Sequence, residues 1–81
     1  MAVTEALALY KRLLGKNHPD VATSLHNLAL LYSSQGRYEK AESLYLEALA
    51  IVDRTLGSNH PHTVTFRENL QLLRDRLRHS P

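Results

Sequence analysis

Residues 18–51 read HPDVATSLHNLALLYSSQGRYEKAESLYLEALAI, and this stretch decides the fold. Its first half sets Val21, Leu25, Leu28, Ala29, Leu31 and Tyr32 three and four residues apart, which draws an apolar stripe along an α-helix. Pro19 suits the first turn of that helix, where its missing N–H costs no intrahelical bond, and Asp20 complements the positive end of the helix dipole. The helix is expected from about Pro19 to Ser34, with Gly36 as its stop. The turn Ser33-Ser34-Gln35-Gly36-Arg37 is short, so the next helix must return antiparallel. That next helix, roughly Tyr38 to Leu56, sets Ala41, Leu44, Tyr45, Ala48, Leu49 and Val52 on one side. Ala41 and Ala48 let a neighbour approach closely and Tyr45 adds bulk between them, while Glu39, Lys40, Glu42, Glu47 and Asp53 cover the solvent side.

Both ends of this pair carry the same signal. Leu14-Gly15-Lys16-Asn17-His18-Pro19 returns 42 residues later as Leu56-Gly57-Ser58-Asn59-His60-Pro61. At that offset residues 5–31 match residues 47–73 at 15 of 27 positions without a gap, which establishes an internal duplication of solenoid period. Each hexapeptide joins a glycine stop to a proline start. Outward of the first lies a helix over residues 2–14 with Val3, Ala6, Leu7, Tyr10, Leu13 and Leu14 as its stripe. Outward of the second lies a helix from about Pro61 to His79, keeping Val64, Leu70, Leu73 and Leu77. In it the counterpart of Tyr32 is Arg74 and that of Gly36 is Arg78, the polar character expected of a helix that caps an array.

The pattern Leu25, Leu28, Ala29, Tyr32, Gly36, Ala41, Tyr45 and Ala48 resembles the tetratricopeptide repeat, with every position in register. The usual repeat has about 34 residues; the step of 42 here, with a longer second helix, is similar to the repeats of kinesin light chains and of many bacterial multi-repeat proteins. The resemblance implies an all-α fold of antiparallel helix pairs stacked as a right-handed superhelix. The chain, 1–81, is then one domain of four helices: residues 1–14 are the second helix of a truncated repeat, 19–56 a complete pair, and 61–79 a capping helix. It departs from the family in having Asp53 within a continuing helix where a final proline is common. Its one complete pair is flanked by two halves, where independent stability usually takes about three repeats.

Composition narrows the function. The formal net charge is +2, with 10 basic residues interleaved among 8 acidic ones, which gives no reason to expect nucleic acid or an anionic membrane as partner. The basic end, Arg67, Arg74, Arg76, Arg78 and His79, lacks the interleaved aromatics that stack bases. There is no cysteine, hence no disulfide framework and no thiol nucleophile. No apolar run is long enough to span a bilayer and no signal pattern opens the chain, so a cytoplasmic location is expected. The serines lack a nucleophile-elbow setting, the glutamates lie on an exposed helix side, and no glycine-rich phosphate loop is present, so no enzyme and no cofactor are expected. His18, His60 and His62 do not form a convergent zinc set, and the histidine beside each proline is expected to cap or pack the turn, with no metal.

A binding role remains. In an array of the resembled kind the first helix of each pair lines the concave surface. There the second helix would present Thr23, His26, Asn27, Leu30 and Ser34, and the fourth Thr65, Glu68, Asn69, Leu72 and Arg76. An amide offers a donor and an acceptor, so Asn27 and Asn69 could clamp an extended peptide backbone, and the resemblance implies that role for this position. Alternatively each Asn bonds a neighbouring helix, and Leu30 and Leu72 pack between helices. The expected partner is a protein or peptide. The rival expectation is a homo-oligomer, in which the fourth helix of one copy docks on the first helix of another or the two copies exchange helices.

Overall fold

The computed structural model describes residues 3–15 and 17–79, and they form four α-helices: α1 Val3–Leu14, α2 Pro19–Ser34, α3 Tyr38–Thr55 and α4 Pro61–His79. Among the described residues there is no strand, and the all-α architecture of stacked helix pairs expected from the sequence is the one observed.

The joints show why the helices stop and start where they do. At the end of α2, Gly36 takes φ +78°, its N–H reaches Ser33 O at 3.0 Å, and the Arg37 N–H reaches Tyr32 O at 2.9 Å. This Schellman pairing satisfies carbonyls that the helix itself cannot. At the start of α2 the His18 ring does the converse: its Nδ1 accepts the Asp20 N–H at 3.0 Å. His60 repeats this at α4, accepting the His62 N–H at 3.1 Å. The duplicated histidine is therefore an N-terminal cap, ahead of a proline that needs no partner.

α2 and α3 form the most extensive contact, α1 packs on α2, and α4 packs on α3. Lys11 of α1 meets Glu47 of α3 at 3.5 Å, and His26 of α2 meets Asn69 of α4 at 2.9 Å. The helices thus lie in two layers, α1 beside α3 and α2 beside α4, in a slab of 41 × 32 × 14 Å. One apolar cluster gathers Leu7, Val21, Leu25, Leu28, Ala48, Ile51, Val52 and Phe66; the other gathers Ala29, Ala41, Tyr45, Leu70 and Leu73. Removing a leucine side chain such as Leu25 from water contributes about 1.5–3 kcal/mol, so these clusters carry the fold.

The stripes differ in places from their sequence reading. Leu13 and Leu14 are 70% and 41% exposed, and Leu31 is 44% exposed, while its counterpart Leu73 is buried. Leu73 clusters with Tyr45 and Ala41 of α3. The side chains of Val3, Ala6 and Tyr10, assigned to the first stripe, lie outside the described residues. Buried beyond the expected stripes are Ala22, His26, Ile51, Thr63 and Phe66. On α4 the counterparts of Leu25, Ala29 and Tyr32 are Arg67, Gln71 and Arg74, all exposed. Arg67 is drawn back to Ser58 O at 3.1 Å and Arg74 to Glu42 at 3.0 Å, so α4 presents a polar outer side where α2 presents an apolar one.

Candidate functional site

Helices α2 and α4 stand side by side, and the candidate face is built from both. Leu30 and Ser33 of α2, Tyr45 of α3 and Asn69, Leu72, Leu73 and Arg76 of α4 surround a shallow cavity of about 170 Å³. Four of the ten candidate residues, Leu30, Asn69, Leu72 and Arg76, are brought together here. Leu30 and Leu72 occupy the same position of successive repeats and are 45% and 62% exposed. Thr23 and Asn27 belong to a separate depression of about 350 Å³ along α2, with Asp20 and Ser24. The two asparagines of the expected clamp therefore do not share one cavity.

The polar atoms are differently occupied. Thr23 Oγ1 donates to Pro19 O at 3.2 Å and Ser34 Oγ to Leu31 O at 2.7 Å, each bond returning the hydroxyl to its own helix. Asn27 makes no side-chain hydrogen bond among the described residues, and Thr65 and Glu68 stand exposed on the face that the i, i+3, i+4 spacing gives to Asn69 and Leu72.

His26 is not on an open surface. It is 8% exposed, inserted between helices with its ring stacked on Phe66 at 4.1 Å and 3°, and set edge-on to Tyr45 at 5.2 Å and 61°. Its Nε2 lies 2.9 Å from Asn69 Nδ2. An amide nitrogen can only donate, so in this arrangement Nε2 accepts and the ring is neutral, with its proton on Nδ1. Burial lowers the His26 pKa from its ordinary value, since the charged form would lose hydration, and no carboxylate among the described residues bonds it in return. Burial likewise raises that of Tyr45. The physical reason His26 is inside is that α2 has three neighbours: the arc facing α4 is covered as well as the arc facing α1 and α3.

Ser33, Tyr45 and Leu73 line the cavity without having been read as site residues, and Phe66 stacks on His26, which bonds the lining residue Asn69. Tyr45 and Leu73 carried a core signal only. Phe66 had no repeat signal, because its counterpart is the small Ser24.

No group of three or more metal-binding side chains converges among the described residues. No helix among them is long and apolar enough to cross a membrane. Residues 2–54 match the family model described as tetratricopeptide repeat. No curated protein matches the chain.

Proposed function

The chain belongs to the tetratricopeptide repeat family, and from that premise we propose that it holds a peptide or helix against the face shared by α2 and α4. The observation that supports this most is the repeated exposure of Leu30 and Leu72 on either side of one cavity, with polar groups at its rim. Covering what remains exposed of two leucines contributes about 2–3 kcal/mol, less than the cost of association. Affinity must then draw on Asn69, Arg76, Ser33 and the Tyr45 hydroxyl, with Asn27 and Thr23 extending the contact along α2. Thr65, Glu68 and Ser34 would form its outer edge. In this reading α1 is the second helix of an incomplete repeat, α2 and α3 are a full pair, and α4 closes the array. The adaptor role implied by the likeness to kinesin light chains is a narrower form of the same proposal.

Panning a displayed random heptapeptide library on the whole chain tests it. Binders should shift the backbone amides of 23–34 and 65–76 in NMR spectra and lose at least tenfold in affinity to Leu30→Glu with Leu72→Glu. Binders that shift only α1, or that ignore the double substitution, overturn the groove.

A second reading, self-association, draws on Leu9, Leu13 and Leu14, which leave an apolar edge on α1. Open propagation through α4 is opposed by Arg67, Gln71 and Arg74, which a docking helix would have to desolvate. Sedimentation over a concentration series separates the two readings, since a strict monomer at high concentration removes self-association.

A further inference from the structure

The contact between His26 and Asn69 sits at the wall of the cavity, since Asn69 lines it together with Leu30, Leu72 and Arg76. Asn69 Nδ2 is committed to His26, while Asn69 Oδ1 accepts no hydrogen bond among the described residues. Among those residues no buried side-chain polar atom lacks a partner, so this oxygen reaches solvent. The same holds for His26 Nδ1, which carries the ring proton when Nε2 accepts from the amide. Phe66 and Tyr45 hold the ring, whereas the amide can turn about its last bond and exchange oxygen for nitrogen with almost no change in volume.

We infer that His26 fixes which end of the Asn69 amide faces the groove: while His26 is neutral the groove accepts an N–H from its partner at this point, and once His26 is protonated it donates to a carbonyl or carboxylate instead. The inference rests on the α2/α4 face being the binding surface. Its chemistry is forced by the donor inventory. A second proton can go only to Nε2, the nitrogen now facing Asn69 Nδ2; two donors cannot face each other at 2.9 Å, so the amide turns and Oδ1 takes the new bond. The NH₂ group then points into the cavity. The groups that face His26 leave this step to the amide alone: α3 contributes Tyr45, which stays neutral, and α4 contributes Phe66 and Asn69, which do not titrate. Glu68, beside Asn69 in sequence, is exposed, and among the described residues no carboxylate bonds His26, whose pKa burial lowers. His26 is therefore a positioning residue, acting on a partner through Asn69. Its counterpart one repeat on is Glu68, so the arrangement belongs to this junction and is not a general feature of the repeat. The partner segment selected at neutral pH is one with a free backbone N–H, or a side-chain donor, between two apolar contacts to Leu30 and Leu72.

NMR on the whole free chain tests the switch without any ligand. Near pH 8 the ¹⁵N shifts of His26 should report the Nδ1–H tautomer, and the Asn69 side-chain NH₂ should show a coupling across its bond to Nε2. On acidification the Asn69 NH₂ signals should move with the same midpoint as His26. Asn69→Asp, whose carboxylate can only accept, should raise that midpoint by about one to three units. His26→Phe, which keeps the stack on Phe66, should leave the Asn69 NH₂ insensitive to pH. An Nε2–H tautomer near pH 8, or Asn69 signals that stay fixed while His26 titrates, overturns the inference and leaves the proposed function standing. A peptide library that yields no binder on the α2/α4 face, with the NMR behaviour intact, overturns the groove itself and with it any reading of partners by Asn69.

Discussion

At the scale of single residues, His26 gives the molecule a pH dependence whose sign follows from its burial. The folded state holds it neutral with a lowered pKa, whereas the unfolded chain gives it the ordinary value of about 6.5. Between the two values the unfolded state binds more protons, so the contribution is fully present above about pH 6.5 and is lost as pH falls towards the folded value. The urea midpoint at pH 5.5 should lie below that at pH 8, and His26→Phe should shrink the difference; equal shrinkage in His62→Phe, an exposed position, would refute the assignment. Leu25 and Leu72 make a second contrast. Leu25 is fully buried, so Leu25→Ala should cost about 2–5 kcal/mol. That is a large part of the roughly 4–12 kcal/mol expected for a chain of this length. Leu72→Ala, at 62% exposure, should change stability by under about 0.5 kcal/mol while weakening any ligand that uses the groove. Denaturant titration of both variants measures the gap.

At the scale of elements, the joints carry predictions that core packing does not. Truncating His18 or His60 to alanine removes the acceptor for one first-turn N–H and should cost about 1 kcal/mol each by urea denaturation, with the two costs additive across 42 residues. Gly36→Ala meets no atom within 4 Å, so its cost of about 1 kcal/mol comes from the left-handed backbone alone. These joints were the most legible part of the sequence, because a stop, a cap and a start are local and each residue type has one job. The faces were less legible. A helical wheel divides a helix into inside and outside, and by that division His26 falls beside Thr23 and Asn27 on the open side. In the folded chain the turn of surface between α2 and α4 is a third sector, and His26 and Phe66 fill it from opposite sides. Nothing in the periodicity of either helix marks a sector that arises only when two repeats meet. Likewise the duplication suggested that Asn27 and Asn69 are equivalent, yet among the described residues only Asn69 bonds a buried ring.

At the scale of the whole molecule, the polarity of the outer side of α4 is open to reversal. Replacing Arg67, Gln71 and Arg74 by their repeat counterparts, as Arg67→Leu, Gln71→Ala and Arg74→Tyr, would give α4 the apolar side that α2 uses to hold α3. The triple variant should associate with rising concentration in sedimentation experiments, where the parent chain stays smaller; a triple variant that behaves as the parent would show that another feature limits assembly. The same slab has a bearing on how the chain reaches its native state. Extensive packing is confined to helices that follow one another, and the contacts that reach farther, such as those of His26 with Phe66 and Asn69, are few. Low contact order of this kind goes with folding in microseconds to milliseconds and with growth from a local nucleus. The α2–α3 hairpin has the largest contact and is where ordering should begin, with α1 and α4 condensing onto it from either side. Amide hydrogen exchange would then slow towards the middle of the chain and quicken at both ends, a gradient of local opening and not a single all-or-none event.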